Sequence, residues 1–260
     1  MIETDPKAGS IAFVASNSEE AQSALQQLSS AYGNVDAGRA SHVVVLGGDG
    51  FMLHALHDFM NSGTPIYGMN CGTVGFLMNE YGDDHLMDRL SNAVITTINP
   101  LVMTTWDTTE NEQTAYAFNE VSLLRQSNQA AHLRILIDGK VRLDELICDG
   151  VLVATAVGST AYNLSAHGPI LPMDAPLLAL TPISPFRPRS WRGALLPHRA
   201  RVRIEVRDIV KRPVNAVADY TEIKSVGAVE TVQSSESSSL IMFDPDHSWD
   251  ERILAEQFRY

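Results

Sequence analysis

The sequence predicts an α/β plus all-β protein: an N-terminal domain on an open parallel sheet, then a β-rich domain, with the last helix returning to the first. Three observations predict it. Before about Pro100, short apolar runs alternate with helical spacing. Between Pro100 and Leu240, strand signals dominate and no helix signal of comparable strength occurs. At the end, Ser248 to Glu251 reads as a capping box opening a final helix. Trp249, Ile253, Leu254 and Phe258 then share one face of it.

Ile11 to Ala15 is a continuous apolar run, the mark of a strand buried on both faces. Ser18 followed by Glu19 and Glu20 starts a helix, with Ala21, Leu25 and Leu28 at helical spacing. His42 to Leu46 is a β-branched strand, Phe51 to Phe59 resumes a helical pattern, and Pro65 to Met69 is a third strand. In the second part, Thr114 to Phe118 and Val121 to Leu124 read as strands. His132 to Ile137 and Lys140 to Leu143 flank Asp138-Gly139, a hairpin turn pair. Arg201 to Arg207 alternates strictly, so one face is expected buried and the other wet. Pro169 to Pro188 is read as a proline-rich stretch between strands, and Ser234 to Ser239 as a loop.

With 260 residues, 45% hydrophobic and 19% charged, the chain is long and apolar enough for one large or two modest domains. Acidic residues outnumber basic ones 31 to 19, a balance that disfavours a nucleic-acid partner. The two cysteines are too few for a disulfide framework and fit a reducing, cytoplasmic setting. The longest stretch free of Asp, Glu, Lys and Arg, Gly150 to Met173, carries too many hydroxyls, amides and glycines for a membrane span. The expectation is therefore no membrane and no signal segment.

Gly47-Gly48-Asp49-Gly50 joins the carboxyl end of a predicted parallel strand to a helix start, where ligands bind in open α/β sheets. Glycines let a phosphate approach backbone amides. A carboxylate repels phosphate, so Asp49 suits a cation or a proton taken from an attacking hydroxyl. The bland alternative is a turn that needs positive φ. Only Lys7, Arg39 and Arg89 are basic before Pro100, and no P-loop lysine motif occurs. A triphosphate here would need backbone amides and a divalent metal, Mg2+ by chemistry, to offset its charge. Nine Lys or Arg fall between Arg187 and Arg212, a solvated strand face or a contact for phosphate or a partner. Asn119-Glu120 pairs an amide with a carboxylate, which can read sugar hydroxyls or a base edge, though a turn is the default. Asp149 to Ser165 is a strand leading into small and hydroxyl-bearing residues with one ring, Tyr162. His54 and His57 lie three apart without an evident third ligand, so no metal site is assigned to the protein itself.

Taken together these segments resemble the NAD kinase family, over roughly Ile11 to Pro188. Gly47 to Gly50, Asn119-Glu120, Asp149 through Ser165 and on to Leu171, and Asn70 to Leu77 carry the resemblance. It implies a Rossmann-like open parallel α/β domain (1–98 and 245–260) and a β-sandwich-like domain (99–244). It implies transfer of phosphate from ATP to the 2′-hydroxyl of the adenosine ribose of NAD, giving NADP. Asp49 would match the catalytic aspartate, with Gly47, Gly48 and Gly50 at the phosphates and Asn119 and Glu120 at adenosine. Asp149, Thr160, Ala161, Tyr162, Asn163, Leu164 and Ser165 would match the motif of nicotinamide- and ribose-side contacts, some offered by a second subunit. A homodimer or homotetramer is implied. Phe51 departs from the family's usual Thr, Ala156-Val157 from a Pro followed by a hydroxyl residue, and Ala218-Asp219-Tyr220 only loosely resembles a later Asp-Gly pair. The rivals are a lipid kinase of the diacylglycerol type, which shares the glycine–aspartate motif, and a non-catalytic NAD(P)-binding regulator.

Overall fold

A computed structural model describes residues 9–72 and 75–245. The chain divides into two compact units: residues up to Ile98 joined by those from Ser237 onward, and residues Asn99 to Glu236. The predicted final helix, with Trp249 and Phe258, lies outside the described residues.

The first unit begins with β1 (Ile11–Ala15), α1 (Glu19–Tyr32), β2 (His42–Gly47), α2 (Asp49–Asp58) and β3 (Pro65–Asn70). The three strands pair in parallel. Ser18 caps α1 by accepting the Ala21 amide, and Glu19 and Glu20 sit favourably in its first turn. α3 (Leu86–Asn92) and β4 (Val94–Ile98) follow. One face of the sheet packs Phe13, Val44, Leu46 and Tyr67 against Ala21 and Leu28 of α1 and Leu86 and Leu90 of α3.

The second unit contains β5 (Leu101–Trp106), β6 (Glu112–Ala117), β7 (Glu120–Arg125), β8 (Ala131–Ile137), β9 (Lys140–Cys148), β10 (Gly150–Ala154), α4 (Tyr162–Ser165), β11 (Leu177–Ile183), β12 (Ala194–Pro197), β13 (Val202–Val206), β14 (Val214–Ala218), β15 (Thr221–Ile223) and β16 (Ala228–Gln233). They make two six-stranded antiparallel sheets, ordered β12-β11-β10-β7-β14-β15 and β6-β5-β16-β13-β8-β9. Met103, Leu133, Ile204 and Val229 of one sheet share a core with Leu123, Val153 and Leu180 of the other, which makes a sandwich. Asp138 and Gly139 both take positive φ, as the hairpin reading requires. On the far face of the first of these sheets, Leu152, Ala154 and Ala179 pack with Ala156 and Leu171. That contact lays the segment after β10 across the sheet and places the long motif there.

Two elements differ from the sequence reading. β17 (Ser239–Phe243), assigned with the β-rich domain, returns to the first sheet, whose order is β1-β2-β3-β17-β4. Its five residues find parallel pairing with β3 and antiparallel pairing with β4, which buries Ile241, Met242 and Phe243. The proline-rich stretch holds a strand, β11, despite Pro182. Ile183 accepts from Asp149, so the Pro182 nitrogen faces the other way, towards β12. Pairing with β12 stops at Leu180, so Pro182 removes no ladder bond.

Among the described residues no helix is long and apolar enough to cross a membrane. Cys71 and Cys148 are both free thiols.

Candidate active site

In the first unit, Gly47 ends β2 and Gly48 is the N-cap of α2, with no side chain capping the helix. None of the residues from Gly47 to Gly50 has positive φ, which removes handedness as the reason for the glycines. A Cβ added at Gly48 or Gly50 would meet open space. A cleft of ≈ 520 Å³ opens here, lined by Ser16, Ser18, Glu20, Gly47, Gly48, Cys71 and Gly72. Among the described residues, no basic side chain lines it. The starts of α1 and α2 both border it, and such helix starts favour anions.

Asp49 is the first residue of α2. Its Oδ2 accepts the Phe76 amide at 2.7 Å and its Oδ1 the Leu77 amide at 2.9 Å. The carboxylate plane is thereby fixed. Gly75 abuts it: a Cβ there would lie 2.8 Å from Asp49 Oδ1 and 2.8 Å from Met78 Cγ, so any larger residue displaces the acid. Buried Asn79 ties this loop to the sheet. Its Nδ2 donates to the carbonyls of Gly68 and Met242, and its Oδ1 accepts the Asp244 amide. Gly75 had no sequence signal beyond the family likeness of Asn70 to Leu77, and Asn79, outside that segment, had none.

In the second unit, Asn119 and Glu120 form the bend entering β7. Thr155 secures it from one side: its amide donates to the Asn119 carbonyl and its hydroxyl to the Phe118 carbonyl at 2.6 Å. Asp219 secures it from the other, accepting the amides of Phe118, Asn119 and Glu120. Glu120 Oε2 is buried and has no partner, while the carboxylate accepts the Tyr162 amide. Burial, then the like charge of Asp219, pushes the Glu120 carboxyl up to about 8, against the opposing pull of that amide.

The long motif separates into solvent-accessible and structural members. Tyr162 is 36% exposed, and Thr160, Ala161, Leu164 and Ser165 are at least partly accessible. The Tyr162 phenol is raised by burial and then by the charges of Glu120 and Asp149. Asn163 is fully buried and committed to the protein: its Nδ2 donates to the carbonyls of Ser159 and Pro169, and its Oδ1 accepts from Thr181. Ser159 is likewise buried, bonded to Ala156 and Leu171. Asp149 lies at the other end of the β7–β10 pair from Glu120, since Gly150 faces Leu124 and Ala154 faces Glu120. Its carboxylate accepts from Arg125 Nε at 2.6 Å.

Much of the basic cluster resolves into ion pairs and a backbone contact. Arg201 meets Glu230, Arg203 meets Glu205, Arg207 meets Asp144, and Arg212 donates to the Ala130 carbonyl. Pairs this exposed contribute little stability. Among the described residues, no group of three or more His, Cys, Asp or Glu is placed to hold a metal ion.

The chain thus pairs an α/β unit, with an amide-clamped carboxylate at a glycine-lined helix start, with a β-sandwich unit whose turn carries a buried carboxyl, the architecture of a two-domain α/β-plus-sandwich protein. Family models for the ATP-NAD kinase N-terminal and C-terminal domains match residues 5–93 and 118–243. An NAD kinase of Rhizobium meliloti (strain 1021) is 59% identical over 252 residues, covering 97% of this chain and 98% of that protein. One of Caulobacter vibrioides is 54% identical over 258 residues, covering 99% of each. The chain belongs to the NAD kinase family. Its fold is also that of yeast NADH kinase complexed with NADH, at TM-score 0.83 and 23% identity, covering 96% of this chain and 89% of that one. An NAD kinase from Archaeoglobus fulgidus in complex with ATP gives TM-score 0.75 at 21% identity, covering 96% and 99%.

Proposed function

We propose that this chain is an NAD kinase: it moves the terminal phosphoryl group of ATP to the 2′-hydroxyl of the adenosine ribose of NAD, giving NADP. The clamped carboxylate of Asp49 carries the mechanistic reading. Asp49 orients the ribose hydroxyl and takes its proton as the oxygen attacks phosphorus. The new oxygen–phosphorus bond forms while the bond to the departing ADP breaks. Amides around Gly47, Gly48 and Gly50 offset the phosphate charge. The hard oxygen donors of the cleft, the Ser16 and Ser18 hydroxyls and the Glu20 carboxylate, suit Mg2+ carried in on the triphosphate. When bound, that ion neutralises charge spreading on the phosphates. The assay is ATP, NAD and Mg2+ with the purified chain, and polyphosphate in a parallel arm. Absence of NADP in every arm sinks the reading. NAD binding without product would favour the non-catalytic regulator. The lipid-kinase reading rests on four residues, against a family match along the whole chain.

Asn119 and Glu120 hold the adenosine ribose, and Thr160, Ala161, Tyr162, Leu164 and Ser165 border the rest of NAD, with Asn163 shaping the loop from behind. NAD binding should show an inflection near pH 8, where Glu120 ionises. The same shift has a stability consequence. An acid raised from 4.5 to about 8 stabilises the fold in full below 4.5, and that contribution is lost progressively as pH rises from there to about 8. Glu120→Gln should therefore gain melting temperature relative to wild type as pH rises from 6 to about 8, and the difference should level off above it. Calorimetric titrations and melting curves at pH 6, 7, 8 and 9 check both, and flat profiles would return Glu120 to ordinary carboxylate behaviour.

Asp149, ion-paired with Arg125 within its own chain, serves the NAD site of a neighbouring copy in a homodimer or homotetramer. Asp149→Ala should raise the KM for NAD, and activity should fall on dilution into the monomer range followed by sedimentation. Full activity in a monomer removes this role. The net charge of -12 and the free thiols suit a cytoplasmic enzyme with neither nucleic acid nor membrane as partner.

A further inference from the structure

We propose that Asp219 is a positioning residue for NAD, presenting Asn119 and Glu120 by tying down the backbone of their turn. This rests on the NAD kinase reading above. Asp219 occupies the two-residue loop between β14 and β15, whose last pair is Ala218 with Thr221. Its φ is +52°, a left-handed conformation that aspartate tolerates better than most side chains. Oδ2 accepts the Phe118 amide at 2.7 Å, and Oδ1 accepts the amides of Asn119 at 3.0 Å and Glu120 at 3.3 Å. The Asp219 amide in turn donates to the Glu120 carbonyl at 3.1 Å.

Three donors converge on one acid. The β14–β7 ladder ends at Ala218 with Val121, so these bonds extend it past the strand end. The Asn119 carbonyl is already taken by the Thr155 amide. With both backbone groups of Asn119 committed, the direction of its Cα–Cβ bond is set. That side-chain amide has no protein hydrogen bond among the described residues. Glu120 Oε2, buried without a partner, is the second group so presented. A buried polar group left unpaired costs stability, which is tolerable where a ligand completes it.

Asp219 also acts through charge. The ionisable groups facing Glu120 are Asp219, from the β14–β15 loop, and Tyr162, from α4. The Asp219 charge opposes ionisation of Glu120, so its removal should let Glu120 ionise at lower pH.

The test compares wild type with Asp219→Asn as purified full chains. Calorimetry follows NAD binding across pH 6 to 9, and initial rates of NADP formation follow both substrates. Expected are a rise of about tenfold in Kd and KM for NAD and a KM for ATP within about twofold of wild type. The binding inflection should also move to lower pH, a response that a merely structural residue does not produce. An unchanged Kd and inflection overturn the proposal. So does equal weakening of both substrates with no shift of the inflection. If Asp219→Asn does not fold, Asp219→Gly, which takes the same φ without strain, replaces it: the same rise in Kd and shift of the inflection are expected, and their absence overturns the proposal equally. Failure of the kinase reading looks different: wild type itself then makes no NADP.

Discussion

Asp49→Asn is expected to cut NADP formation by about 10²–10⁴-fold while NAD still binds within a fewfold of wild type. The substitution is close in shape but not in chemistry. Asp49 offers a separate oxygen to each of the Phe76 and Leu77 amides. Asparagine has one oxygen and one NH2 group, so one of those amides would face another donor. Two losses follow together: the proton acceptor and the fixed orientation. Misplacement by about 1 Å can alone cost about 10²-fold, and an amide left unpaired costs about 1–3 kcal/mol. Melting temperature should therefore drop alongside turnover. Rates of NADP formation beside calorimetric NAD titration separate the two. Turnover within a few-fold of wild type would remove Asp49 from the chemistry.

Gly158→Ala should be the most damaging single methyl in the second unit. Gly158 is buried, and its amide donates to Thr155 Oγ1 at 2.9 Å. A Cβ there would overlap the carbonyl oxygen, carbonyl carbon and Cα of Asn119. All three are backbone atoms of a turn held on both sides, so no rotamer change relieves the overlap. The cost is about 1–3 kcal/mol or more, or roughly 2–4 °C of melting temperature for each kcal/mol in a chain of this size. NAD affinity should fall with it, because the atoms pushed aside belong to the turn that carries Asn119 and Glu120. Melting curves and NAD calorimetry on the purified variant test this. Wild-type values for both would mean that the turn yields more easily than its hydrogen bonds imply.

β1 and β2 were legible because a parallel strand buried on both faces is a continuous apolar run, as at Ile11 to Ala15 and His42 to Leu46. β17 has the same local character, yet no local feature says which sheet it joins; that depends on pairing with β3 and β4, far away in sequence. β4 was invisible for another reason. It is a sheet edge with Val94 and Ile95 exposed, so it lacks a burial pattern. β11 was hidden by Pro182 and the prolines flanking the strand; that Pro182 is harmless follows only from where pairing with β12 stops.

The site was legible in residue types more than in roles. Asp49 stood out as a carboxylate among glycines, whereas Glu120 was a carboxylate beside an amide whose default reading was a turn. The run from Thr160 to Ser165 was read as one ligand-facing stretch, whereas Asn163 turns inward to Thr181 and the carbonyls of Ser159 and Pro169. Asp219 had only a loose motif likeness. Its partners lie about a hundred positions earlier, and a left-handed turn is needed to bring its oxygens to them.

The placement of β17 has a consequence for biosynthesis. A ribosome releases residues 1–98 long before it has made Ser239 to Phe243, so the opening segment of the nascent protein waits with its sheet one strand short. The sandwich, continuous in sequence, can close first. For this chain the order of completion is the reverse of the order of translation, and the early segment is the one that most needs shielding by chaperones until the last strand arrives.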